Sequence, residues 1–131
     1  TACRRQRQMC IRDRYMTARN EGSIFFTGAT ASMRGGSGFS AFASAKFALR
    51  AVSQSMAREL GPQGIHVAHF IIDGAIDTAF IKENFPDRYA LKEKDGILQP
   101  DAIADAYWFV HTQHRSAWTH ELDLRPYMEK F

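Results

Sequence analysis

The chain changes its pattern of apolar and polar positions several times. Ser23 to Phe26 is a short apolar run ending at Thr27-Gly28, which reads as a buried strand entering a loop. Ala29 to Ser40 is rich in Gly and Ser, with Gly35, Gly36 and Gly38 close together, the composition of a mobile, close-packed loop. Then Phe42, Ala45, Leu49, Val52, Met56 and Leu60 fall three and four apart, the apolar stripe of a helix. Ser40 is its expected N-cap. Gly61-Pro62 is its expected end, with Gly61 taking a left-handed exit, and Gly64 allows a tight turn. Ile65 to Ile72 is almost continuously apolar, as a strand buried on both faces of a parallel sheet requires. Asp73-Gly74 opens another loop. Residues 78–95 mix charge with Phe80, Phe85 and Tyr89, which suits a mobile lid with apolar anchors. Pro100 starts a helix to about Val110, with Ile103, Tyr107 and Val110 on one side. Glu121 to Arg125 alternates Leu122 and Leu124 with charge and reads as a last strand. The order strand, helix, strand, lid with helix, strand predicts an α/β fold with parallel strands.

Composition narrows the function classes. The chain has 131 residues, 45% hydrophobic and 24% charged, enough for one modest globular domain. No apolar run approaches a membrane span, so no membrane partner is expected. The Arg- and Gln-rich start has no apolar core of a secretory signal, and a cytoplasmic location is expected. A net charge of +3 and two cysteines invite a nucleic-acid or redox reading, but both features are concentrated at the start. Residues 4–14 read RRQRQMCIRDR and resemble, in register, the translated read-one adapter of transposon-based library preparation. Residues 1–14 are therefore expected to be a disordered artefact, with the folded part in 15–131. Without Arg4, Arg5, Arg7, Arg12, Arg14 and Asp13, 12 basic residues face 13 acidic ones, a net charge of −1. A nucleic-acid partner then loses its electrostatic footing and is not expected. Cys10 lies inside the adapter-like run and Cys3 just upstream. The rest of the chain therefore offers no disulfide, no cysteine zinc site and no thiol nucleophile.

The histidines invite a metal reading that their spacing weakens. His66 and His69 are three apart in a predicted strand and so face opposite sides. They read as sheet residues. His111, His114 and His120 gather loosely near Trp118 without a cysteine or an obvious carboxylate, and no metal is expected.

The run GSIFFTGATASMRGGSGFSAFASAKFALRAVSQSMARELGPQGIHV (22–67) resembles the short-chain dehydrogenases/reductases. DGAIDTAF (73–80) resembles the loop that closes over the nicotinamide in that family, and WTHELDLRP (118–126) its last helix-to-strand segment. The likeness spans residues 16–131. It implies the carboxyl half of a partial Rossmann-like, doubly wound parallel sheet in an NAD(P)-dependent oxidoreductase with a small-molecule substrate. It also implies a homo-oligomer built through helix 40–60, with the Phe47 and Arg50 side as a partner surface. The resemblance places Lys46 at the lysine of the family's Tyr-x-x-x-Lys pair, where it would bind the nicotinamide ribose. The same alignment puts Phe42 at the tyrosine position and Ala29 at the position of the serine that bonds the substrate oxygen. Both hydroxyls are missing. Among possible substitutes, Thr27, Thr30 and Ser32 lie on the right loop and Tyr89 on the lid, whereas Ser44 points to another helix face.

On the cofactor side, the resemblance gives Gly74 close backbone approach, the Ile76 backbone the carboxamide, and Thr78 the carboxamide or a phosphate. Asp73 stands where the family has proline. Thr27-Gly28-Ala29 is a poor phosphate turn, because Ser32 and Met33 occupy places where close approach wants glycine. No other glycine-rich turn precedes Ser23. Two readings stay open: an NAD(P)-dependent oxidoreductase with a divergent active site, or a noncatalytic dinucleotide-binding or assembly subunit. The chain by itself is expected to be inactive and to expose a sheet edge.

Overall fold

The computed structural model describes residues 14–130. The expectation of a disordered, adapter-derived start falls on residues 1–13, outside the described residues, and on Arg14, which opens a helical stretch over residues 14–19. Three parallel strands follow: β1 (Gly22–Thr27), β2 (Ile65–Ile72) and β3 (Glu121–Leu124), in the order β1-β2-β3. Helix α1 (Ser40–Leu60) joins β1 to β2. The longer β2–β3 connection carries α2 (Ala79–Asn84), α3 (Pro86–Tyr89) and α4 (Pro100–His111). β1 pairs with β2 from Gly22↔Ile65 to Thr27↔Phe70, and β2 with β3 from His69↔Glu121 to Ile72↔Leu124.

β2 is central because its sequence can be buried on both faces, and all eight of its residues are buried. Alternation then sorts the core. Ile65 and Val67 pack with Phe26 of β1 and with Met56 and Leu60 of α1. Ala68, Phe70 and Ile72 pack with Val110 of α4, and Ile103 and Tyr107 join them. Each fully buried aliphatic or aromatic side chain contributes about 1.5–3 kcal/mol. The two main helices therefore cover opposite faces of the sheet. Both connections step the same way across the sheet, so their crossovers have opposite hands. One of them departs from the usual right-handed rule.

Two helix boundaries differ from the sequence expectation. Ser40 is the first helical residue of α1; Phe39 holds the cap position without a side-chain bond, and its carbonyl accepts the Ala43 N–H at 2.8 Å. Gly61 stays right-handed at φ −54° and opens a 3-10 turn through Gln63. Gly64 makes the left-handed exit at φ +78°, where a Cβ would come within 2.3 Å of the Asn20 carbonyl.

His66 and His69 do face opposite sides. His66 stacks on Trp118 with ring centroids 4.7 Å apart and donates from Nε2 to the Thr119 carbonyl at 2.8 Å. Burial, above all, pushes its pKa below the ordinary histidine value. A histidine buried neutral must charge as acid is added, while the unfolded chain takes its proton near pH 6.5. Its contribution to stability is thus complete above about pH 6.5 and is lost as the pH falls below it. The urea midpoint is expected to drop between about pH 7 and 5, and the drop to be shallower in His66→Phe. Parallel midpoint curves for the two proteins would contradict this.

Candidate functional site at the carboxyl ends of the strands

The loop after β1 begins at a glycine with no room for a side chain. The Gly28 N–H donates to the Phe70 carbonyl at 2.6 Å, and a Cβ there would lie 2.3 Å from His69 Nε2. The next residue, Ala29, gives its N–H to the hydroxyl of buried Ser32 at 3.1 Å. Thr30 donates its hydroxyl to Asp73 Oδ1 at 2.5 Å. Asp73 is 4% exposed and also meets Arg34 at 3.5 Å and Arg125 at 3.8 Å; Arg125 pairs with Asp123 as well. One carboxylate thus ties together the loops that follow all three strands. Sequence reasoning noted Asp73 only as a departure from proline. The available signal was a charge closing an apolar run, with an arginine just past the last strand.

Lys46 and Phe42 lie one turn apart on α1, on one face. The Lys46 ammonium donates to the Thr27 carbonyl at 2.9 Å and sits 5.7 Å from the centroid of the Phe42 ring. The structure therefore gathers Lys46 and Phe42 at the end of β1, where Ala29 follows. Among the described residues, the three hydroxyls at the end of β1 and in the loop after it that could substitute are already engaged. Thr27 Oγ1 bonds the Tyr107 hydroxyl at 2.7 Å on the α4 side of the sheet, Thr30 is taken by Asp73, and Ser32 caps the Ala29 amide. Tyr89 ends α3, its ring flanked by Lys82 at 5.8 Å and Lys92 at 5.7 Å. Sequence reasoning read Tyr107 as core alone. Burial pushes its phenol above the ordinary range, against a smaller opposing effect of the Thr27 bond.

A second network fixes the helix that carries Lys46. Arg50, one turn further along α1, grips Glu121 of β3 with two bonds, at 2.8 and 2.7 Å. Glu121 also meets Nδ1 of fully buried His69 at 3.0 Å. The Arg50 bonds are the main reason the Glu121 carboxyl lies below its ordinary pKa, and the same bond raises the guanidinium. Of the expected partner surface, Arg50 is engaged within this chain, while Phe47 is 44% exposed.

The loop after β2 carries the other candidates. Gly74 has φ +151°, and a Cβ there would lie 2.8 Å from the Pro126 ring, so its close approach is made to Pro126. Ile76 faces Leu98 in an isolated parallel bridge. The bridge uses the Asp77 N–H to the Leu98 carbonyl and the Leu98 N–H to the Ala75 carbonyl, both at 2.8 Å, which leaves the Ile76 amide outside the pair. The Thr78 hydroxyl caps α2 by accepting the Ile81 N–H at 3.3 Å. Phe80 of α2 and Phe85, which caps that helix, pack on each other with ring centroids 6.0 Å apart. His111, His114 and His120 bond Ser23, Ser116 and the Val67 carbonyl respectively. Among the described residues no three His, Cys, Asp or Glu side chains are placed to hold a metal, and no helix is long and apolar enough to cross a membrane.

The fold and these motifs have close counterparts. The family model for short chain dehydrogenase matches residues 8–89. A short-chain dehydrogenase from Rhodopseudomonas palustris is 54% identical over 87% of this chain and 42% of its own, with a TM-score of 0.65. A 7α-hydroxysteroid dehydrogenase in complex with NADH and 7-oxo glycochenodeoxycholic acid is 22% identical over 88% of this chain and 47% of its own, with a TM-score of 0.74. A short-chain oxidoreductase from Pseudomonas aeruginosa PAO1 containing an atypical catalytic center is 15% identical over 83% and 48%, with a TM-score of 0.67. The last two likenesses concern the fold alone. The chain spans less than half the length of each of these three proteins. With a family model covering more than half its length and its strands, loops and lysine helix laid out as described, the chain belongs to the short-chain dehydrogenase family.

Proposed function

We propose that this chain supplies the nicotinamide and substrate end of an NAD(P)-dependent oxidoreductase with a divergent proton-transfer site. The observation that carries the reading is the Lys46 ammonium beside Phe42 at the end of β1. By resemblance, that cation, which also donates to the Thr27 carbonyl, would bind the ribose hydroxyls. The residues present suit this end of a dinucleotide. The Ile76 amide lies outside the Leu98 bridge and can donate to a carboxamide, and the Thr78 hydroxyl, an acceptor toward Ile81, retains its own proton to donate. Among the described residues no glycine-rich turn links a strand directly to a helix, so the pyrophosphate would need other chain. When bound, the dinucleotide supplies the hydride. The chain's own part is to orient the ribose through Lys46 and to hold the loops shut through Asp73.

A second reading, a noncatalytic dinucleotide-binding or assembly subunit, is favoured by one specific observation. Thr27, Thr30 and Ser32 already have hydrogen-bond partners, and general acid–base catalysis by a positioned group typically supplies about 10²–10⁴ in rate. The test material is this chain extended at its amino end with the corresponding half of the Rhodopseudomonas palustris dehydrogenase. Saturable NAD(P)H binding is expected by fluorescence, weakened about tenfold in Lys46→Ala. Turnover across a panel of alcohols and carbonyls would favour the enzyme, and binding without turnover the subunit. A folded chimera that binds no dinucleotide would overturn the enzyme and the dinucleotide-binding subunit alike and leave only the assembly role. The cytoplasmic location and the homo-oligomer through α1 belong to this proposal as well.

A further inference from the structure

The amino ends of β1 and β2 frame a cleft of about 460 Å³, well away from the candidate site. Five residue steps along β1 at about 3.3 Å each separate it from the Lys46 end by roughly 16 Å. The volume falls in the range of small-molecule sites. One wall is the aromatic stack of His66 on Trp118. His66 is 3% exposed, and because Nε2 donates to the Thr119 carbonyl, Nδ1 holds a lone pair, with no hydrogen-bond partner among the described residues. Burial, above all, pushes the pKa of this ring below the ordinary histidine value, which disfavours a charge on the wall.

Two arginines, Arg19 and Arg115, line the cleft. Arg115 donates to the Asn20 carbonyl at 2.6 Å and lies over Gly64, where a Cβ would come within 3.1 Å of it. Arg19 has no hydrogen-bond or ion-pair partner among the described residues. Glu21 also lines the cleft and offsets one of the two charges. His111, in the same wall, is held by the Ser23 hydroxyl at 3.0 Å. Two forked donors, one of them bonded to the Asn20 carbonyl, suit the oxygens of a carboxylate or phosphate.

We propose that this cleft is a second ligand site, which takes a small molecule bearing an oxyanion. The oxyanion lies between Arg19 and Arg115, and the body of the molecule rests against the Trp118 wall. The site is independent of the dinucleotide reading and is testable in this chain as it is.

The experiment titrates the chain with inorganic phosphate and, separately, with sodium acetate, while NMR follows the Trp118 indole N–H and the Arg115 Nε–H. Sodium chloride at matched ionic strength is the control. The expected result is saturable shifts of both signals with at least one oxyanion. Stronger shifts with phosphate assign phosphate esters, and stronger shifts with acetate assign carboxylates. Arg19→Gln is expected to weaken binding about tenfold and leave the melting temperature unchanged, since its side chain supports no other group. Arg115→Gln tests the partner bonded to Asn20, with the Arg19 variant keeping the answer readable should the Asn20 turn loosen. The proposal is overturned by shifts that never saturate, by equal shifts in chloride, or by an Arg19→Gln chain that binds as tightly as the parent.

Discussion

Gly28→Ala is expected to destabilise the chain by about 3 kcal/mol, the upper end of ordinary overpacking costs. The added methyl would lie 2.3 Å from His69 Nε2 and 2.8 Å from Ser32 Oγ. Neither neighbour can give cheaply. His69 is fully buried and bound at Nδ1 to Glu121, and Glu121 is gripped by two bonds from Arg50. Ser32 is fully buried and holds the Ala29 amide. The backbone cannot retreat either, because the Gly28 N–H is bonded to Phe70 at 2.6 Å. Gly35 is the internal control. A Cβ there meets nothing within 4 Å, and Gly35→Ala is expected to stay within about 0.5 kcal/mol of the parent. Urea unfolding of the three proteins at neutral pH measures both effects. Equal midpoints for the two variants would show that the β1 loop is not packed on His69 as described.

That packing marks the limit of what the sequence discloses. β2 was legible because eight consecutive residues suited to burial leave few alternatives. α1 and α4 were legible because their apolar residues repeat at helical spacing. Periodicity reports that a helix has an apolar stripe; it does not report which face of a sheet the stripe covers. The placement of α1 and α4 on opposite faces was therefore out of reach of periodicity, and only the resemblance to a doubly wound sheet implied it. Helix ends were blurred for a local reason: Ser40 and Gly61 have the right chemistry for caps, but Phe39 and Gly64 hold the backbone positions.

The candidate site divides along the same line. Lys46, Phe42 and Ala29 could be named as candidates because local motifs carry them. The partners that decide what the nearby hydroxyls can do are remote: Thr30 and Asp73 are 43 residues apart, and Thr27 and Tyr107 are 80 apart. No local pattern encodes such pairs. The grip of Arg50 on Glu121 was out of reach for the same reason, since the two lie 71 positions apart.

Restoring the missing hydroxyls is the sharpest functional test of the fold's intended chemistry. In the extended protein that binds NAD(P), Phe42→Tyr with Ala29→Ser is expected to raise carbonyl–alcohol turnover by about 10²–10⁴. Phe42 is 48% exposed, so a hydroxyl on its ring has space. The Lys46 ammonium near that ring favours the phenolate by its charge and brings the phenol nearer the working pH. Ala29 has an extended backbone whose amide is already satisfied by Ser32, so a serine there keeps its hydroxyl for the substrate oxygen. The two changes are expected to be non-additive. Ala29→Ser alone supplies an oxygen contact but no route for the proton, and should do little; Phe42→Tyr alone should give most of the gain. Dinucleotide affinity should stay unchanged throughout, because Lys46, Ile76 and Thr78 are untouched. A double variant that binds NAD(P)H as before yet shows no gain on any carbonyl would mean that the Lys46 end of β1 is not arranged for proton transfer. The noncatalytic reading would then stand. A gain confined to the variants with tyrosine would show that the scaffold still presents a substrate oxygen to position 42, and that only the proton donor was lost.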